Sequence, residues 1–101
     1  LKETPKDEYL LADIGSYYAA LGKDKQSLPL LAQAAALAQD NPEVLYQVAV
    51  GYEMLHRRDE ALRWLAKGRS SGYPSETIAR NPLLAALRAD PRYASTVGGR
   101  H

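Results

Sequence analysis

The sequence predicts an all-α fold built from paired helices that repeat every 34 residues, and three observations predict it. Displacing the 101-residue chain by 34 on itself aligns Leu11 with Leu45, Ile14 with Val48, Gly15 with Ala49, Tyr18 with Tyr52, Ser27 with Ala61, Leu28 with Leu62, Leu31 with Leu65 and Ala34 with Gly68. Large residues meet large ones and small meet small. Within each copy the apolar residues keep a three-and-four rhythm, Leu11, Ile14, Gly15, Tyr18, Leu21 and then Leu45, Val48, Ala49, Tyr52, Leu55, which places them on one side of a helix. Four times a side chain suited to capping precedes a proline, in Thr4-Pro5, Asn41-Pro42, Asn81-Pro82 and Asp90-Pro91. Proline is tolerated at the first helical position because that N–H has no intrahelical acceptor.

The elements follow in order. The first helix is expected over 5–21, the second over 25–39 after the turn Gly22-Lys23-Asp24, the third over 42–55 and the fourth over 59–70 after His56-Arg57-Arg58-Asp59. Asp24 and Asp59 would sit near the positive N-terminal ends of the helices they precede. Pro29 implies that the second helix either starts late, near Ser27, or has a bent opening. Residues 75–80 are expected to form one short helical turn, followed by helices over 82–89 and 91–97. No stretch alternates with a period of two for long enough to argue a strand.

Length and composition bound what this chain does. One domain fits in 101 residues, and 46% hydrophobic with 25% charged residues is ordinary for a soluble globular protein. Without cysteine there is no disulfide, no thiol chemistry and no thiolate zinc site. No apolar run reaches the roughly 20 residues that cross a bilayer, so no membrane role is expected. The net charge of +1 conceals two poles, with residues 1–55 at −4 and residues 56–101 at +5. A basic end could contact an anionic partner, or the charges could be solvated and merely segregated.

The period, the two helices per period and the small residues at fixed offsets from a tyrosine resemble the tetratricopeptide repeat. In the first copy its positions fall on Leu11, Ile14, Gly15, Tyr18, Gly22, Ser27 and Ala34, and in the second on Leu45, Val48, Ala49, Tyr52, His56, Ala61 and Gly68. Departures are His56 at a turn glycine, Ser27 for alanine and the proline of Tyr73-Pro74 one residue late. Asn81-Pro82-Leu83-Leu84 and Leu87-Arg88-Ala89-Asp90-Pro91-Arg92-Tyr93 are similar to the closing segment of such arrays in multidomain bacterial proteins, including some Ser/Thr kinases and transcriptional regulators. The resemblance implies a right-handed α-solenoid of two repeats, 8–41 and 42–75. A cap over 76–97 would cover the last repeat with Leu83, Leu84, Leu87 and Tyr93, and a frayed tail would occupy 98–101. The closing segment implies a bacterial-type protein, and the opening on Leu1 with no basic-then-apolar signal pattern behind it reads as a piece of a longer one, expected in the cytoplasm. Tyr52 would fill the gap between paired helices, and Gly15, Ala49, Ala61 and Gly68 would be small because a neighbouring helix passes close to them.

Chemistry finds little material. His56 and His101 have no partners at ligand spacing, so no metal is expected, and no nucleophile, phosphate-loop or dinucleotide motif is present. The cluster His56, Arg57, Arg58, Arg63, Lys67 and Arg69 near Trp64 has the character of a phosphate-binding surface, but Trp64 falls on the inward stripe with Leu65 and nucleic acid is not the expected partner. Neither a cofactor nor enzymatic activity is expected. The expected function is binding of a peptide or partner helix in a concave groove, the alternative being a regulatory domain packed on an upstream kinase or DNA-binding domain. By resemblance the groove is lined by Tyr9, Ala12, Asp13, Ser16, Ala19 and Ala20, then by Glu43, Tyr46, Gln47, Val50, Glu53 and Met54. Family members that clamp a C-terminal carboxylate carry lysine and asparagine where this chain has Ala12 and Ser16. The acids Asp13, Glu43 and Glu53 beside Tyr9 and Tyr46 instead predict a basic, partly apolar ligand. Apolar residues around Tyr9, Leu10 and Tyr17 are expected to be left uncovered on the first helix, for self-association or contact with an upstream repeat.

Overall fold

The computed structural model describes residues 7–98 and builds them from seven α-helices with no strand among the described residues. These are α1 (Glu8–Ala20), α2 (Asp24–Ala38), α3 (Pro42–Met54), α4 (Arg58–Ser70), α5 (Ser75–Arg80), α6 (Ala85–Ala89) and α7 (Pro91–Tyr93). A 3-10 turn, Pro82–Leu84, precedes α6, and a π turn, Ala94–Gly98, follows α7. The start expected at Thr4-Pro5 and the residues 99–101 lie outside the described region. Within it, α1 is capped by Asp7, whose carboxylate accepts hydrogen bonds from the backbone N–H groups of Tyr9 and Leu10.

The two large helix pairs share one turn design. After α1, the N–H of Gly22 donates to Ala19 at 3.0 Å and that of Lys23 to Tyr18 at 2.9 Å; after α3, His56 donates to Glu53 and Arg57 to Tyr52, both at 2.9 Å. This paired 5→2 and 6→1 closure is the Schellman motif, which needs a left-handed residue at its centre. Gly22 supplies φ 73°, and His56, where glycine is usual, adopts φ 63°. The turn is therefore conserved in geometry despite the side chain. Helix α4 ends the same way through Gly72 and Tyr73.

These turns fold α2 back on α1 and α4 back on α3, while α3 also lies against both α1 and α2. The core sits between the pairs: Leu31, Val44, Leu45, Val48, Ala49, Ala61 and Leu65 are fully enclosed. Leu31 is its pivot. A Cβ on Gly15 would stand 3.0 Å from Leu31 Cδ2, and one on Gly51 would stand 2.8 Å from the same atom, so glycines on α1 and α3 together make the socket for one α2 leucine. Ser27, where the repeat pattern favours alanine, is buried and donates its hydroxyl to the carbonyl of Gly15 at 2.7 Å. Its polar atom is thus satisfied inside the core.

Two expectations are corrected and two are refined. The second helix starts at Asp24 and carries Pro29 inside it, so of the two openings considered the late start is not taken. Gly68 is buried, but a Cβ there would find its nearest neighbour at 3.5 Å, ordinary contact rather than a close approach. In the C-terminal segment Ile78, Leu84, Leu87 and Val97 are buried and Tyr93 packs on the core, whereas Leu83 is 53% exposed. Adjacent residues of this turn point in different directions, Leu84 inward and Leu83 out. Trp64 packs against the core but is only half-buried: its Nε1–H donates to Glu60 at 3.1 Å, and Arg63 and Lys67 lie over its ring at 5.0 and 5.7 Å.

Candidate functional site

The exposed side of α1 and α3 carries a polar and aromatic face whose members meet across the helix boundary. Asn41 organises one end. Its Oδ1 caps α3 by accepting from the N–H groups of Glu43 and Val44, while its Nδ2 donates to the Tyr9 hydroxyl at 2.9 Å. Tyr9 in turn donates to Glu43 at 3.3 Å, and Gln47 donates to Asp13. Each of these last two links joins residues 34 apart, so equivalent positions of successive helix pairs are in direct contact.

Asn81 repeats the Asn41 arrangement. Its Oδ1 accepts from the N–H of Leu83, and its Nδ2 donates to the Tyr46 hydroxyl at 2.6 Å. Tyr46 also stacks on Tyr73, with centroids 4.2 Å apart and planes 12° from parallel. Burial, then the nearby Tyr46 and Glu43, push the Tyr73 phenol up, so it is neutral at physiological pH. Beside this stack lies an open depression of about 500 Å³ lined by Asn41, Pro42, Glu43, Gly72, Tyr73, Pro74 and Thr77. Arg69 holds the rim by donating to the Tyr73 carbonyl at 2.6 Å.

Of the twelve residues expected in a groove, Tyr9, Asp13, Ala20 and Glu43 are exposed and Ser16, Tyr46, Gln47 and Met54 are half-buried. The other four are buried. Ala12, Ala19 and Val50 are buried in the core. Glu53 is buried at 8% exposure and held by a two-pronged contact with Arg58, Nε and Nη2 lying 2.8 and 2.7 Å from its oxygens. Arg58 also reaches Asp90 at 3.0 Å, Asp90 meets Arg92 at 3.1 Å, and Arg92 reaches Asp59 at 2.6 Å. The carboxylate expected to attract a ligand instead fastens the closing segment to the α3–α4 turn. The hydrogen bonds from Arg92 and Arg58 hold the Asp90 carboxyl well below the usual carboxylate range.

The basic cluster of the sequence is likewise engaged. Arg57 pairs with Asp24 at 3.8 Å, Arg58 with Glu53 and Asp90, Arg63 with Glu60 at 4.0 Å, and Arg69 with the Tyr73 carbonyl. By contrast, among the described residues no ion pair involves Asp13 or Glu43. Among the same residues no group of three or more His, Cys, Asp or Glu is placed to hold a metal ion, and no helix is long and apolar enough to cross a membrane.

Sequence reasoning missed Tyr73, Asn41 and Asn81 as members of the face. Tyr73-Pro74 stood out only as a proline out of place, and the two Asn-Pro pairs read only as caps. The signal for the second use of each asparagine was a tyrosine one helix pair earlier, Tyr9 for Asn41 and Tyr46 for Asn81. No family model, no curated protein and no solved structure matches this chain.

Proposed function

We propose that the chain is a tetratricopeptide-type module, two repeats and a C-terminal cap in a short right-handed α-solenoid, that binds a basic, partly apolar peptide across α1 and α3 and performs no catalysis. The recurrence of one Schellman turn at an interval of 34 residues, with Gly22 and His56 at its centre, supports the repeat reading. The observation that carries the binding reading is the exposed pair Asp13 and Glu43, without ion-pair partners among the described residues, beside the rings of Tyr9, Tyr46 and Tyr73. Carboxylates and ring faces both attract cations, and the open depression next to Glu43 has room for one long basic side chain. A free C-terminal carboxylate would be repelled.

The ligand would bind weakly and salt-dependently, because exposed charges are screened beyond about 8 Å at physiological ionic strength. Titrating pools of basic and acidic peptides into wild type and into Asp13→Lys/Glu43→Lys tests it. Basic peptides should bind wild type and lose affinity in the double variant. Preference of the wild type for acidic peptides, or unchanged basic-peptide affinity in the variant, would reject the face as the site. The cytoplasm of a bacterium and a place within a longer polypeptide fit this reading. A regulatory role against an upstream domain would use the same face, with that domain supplying the basic segment.

A further inference from the structure

Helix α1 carries a second surface, distinct from the polar face. Leu10, Ile14, Tyr17 and Leu21 recur at intervals of four, three and four, so they form one stripe, and they are 40, 37, 64 and 52% exposed. The residues 34 further on are Val44, Val48, Gly51 and Leu55, all buried. On α3 this side receives α2: Leu31 seats against Gly51. The stripe on α1 is therefore built like an internal helix seat.

What covers it is constrained by Tyr17. Where α3 has Gly51, the hole that admits Leu31, α1 presents a tyrosine ring. A helix docking on α1 as α2 docks on α3 would meet that ring, so a further unit of the same repeat does not fit in the same way. We propose instead that the stripe is the contact between two copies of this chain, α1 against α1 of the second copy, antiparallel.

The pattern is self-complementary in that orientation. A two-fold axis level with residues 15 and 16 sets Leu10 against Leu21 and Ile14 against Tyr17, each contact made twice as an isologous interface requires. Antiparallel packing also brings opposite ends of the helix dipoles together. At each end Asp7 comes level with the α1–α2 turn of the second copy, where Lys23 and Lys25 are exposed and the intervening Asp24 is held by Arg57 at 3.8 Å. Acid thus meets net positive charge.

The four side chains offer on the order of 400 Å² of exposed surface per chain. That is about half of the ~800 Å² per partner in a standard interface. The dimer is accordingly weak, forming in the micromolar to millimolar range. Asp13 borders the stripe, three residues after Leu10 and four before Tyr17 on the same helix, so self-association is read in the absence of peptide.

Sedimentation of the full chain across that concentration range tests the proposal. Wild type should pass from monomer to dimer, and Tyr17→Lys, which changes an exposed side chain, should stay monomeric with an unchanged circular dichroism spectrum. Because the chain has no cysteine, Leu10→Cys and Leu21→Cys can be oxidised separately and mixed to read the register. A disulfide dimer should form at least tenfold faster in the mixture than in either variant alone. Wild type remaining monomeric throughout would leave the stripe to a different partner and overturn the proposal. So would a dimer that survives Tyr17→Lys, or faster cross-linking of Leu10→Cys with itself, the mark of parallel packing.

Discussion

Gly51→Ala probes the centre of the fold, because the added methyl would be 2.8 Å from Leu31 Cδ2 and 3.0 Å from Cδ1. A side-chain end can often swing away from such an intrusion. Leu31 has nowhere to go: it is fully buried, and the same Cδ2 is the atom that would lie 3.0 Å from a Cβ on Gly15. Retreat from α3 is approach to α1. Overpacking of this kind costs about 1–3 kcal/mol, against a gain of about 0.5–1 kcal/mol from replacing a helical glycine by alanine. The net expectation is a loss of up to about 2 kcal/mol. Gly68→Ala is the internal control, since its methyl would meet nothing nearer than 3.5 Å and only the gain remains. Thermal unfolding of the pair reads the contrast, at about 4–8 °C per kcal/mol for a domain of this size. Gly51→Ala should melt below wild type and Gly68→Ala above it. Adding Leu31→Val to Gly51→Ala should recover part of the loss through a coupling term. Equal melting of the two single variants would refute the socket, and with it the packing of α1, α2 and α3 around one leucine.

Three further expectations follow from single residues. His56→Gly should raise stability by about 1 kcal/mol in the same melts, because a non-glycine residue at φ 63° carries a left-handed penalty of that size; no change would mean the turn relaxes once free. Ala61→Leu should cost on the order of 1–3 kcal/mol, since Ala61 is fully enclosed, and an unchanged melt would contradict the alignment of Ala61 with Ser27. Asp90 titrates below its ordinary value in the folded chain, so its contribution to stability is full above about pH 4 and fades as pH falls further. Asp90→Asn, which keeps the cap on the Arg92 N–H, should therefore lower stability at neutral pH and flatten the acid limb of the stability profile; an acid limb as steep as wild type would argue against the Arg58–Asp90–Arg92 cluster.

The paired-helix architecture was legible because it is written redundantly. Period, apolar rhythm and Asn-Pro caps all report backbone-level requirements that neighbouring residues share, and even His56 leaves the turn position readable. Individual side chains were less legible where a contact crosses elements. Ala12 and Val50 look like groove residues until the elements pack together and bury both. Glu53 looks like a ligand-facing acid until the turn swings Arg58 back over it. Leu83 and Leu84 are indistinguishable in sequence, and only the packing of the closing segment separates them. The candidate face was half visible: its acids and Tyr46 were evident, while Tyr73 depended on a turn delivering its ring against Tyr46.

Chemical-shift mapping of the isotope-labelled chain with a short lysine- and arginine-rich peptide is the most direct test of binding across α1 and α3. The backbone signals of Tyr9, Asp13, Glu43, Gln47 and Tyr73 should shift together along one binding curve and return as salt is added. Shifts confined to α4 and the closing segment around Trp64 and Arg92, or none at saturating peptide, would contradict it.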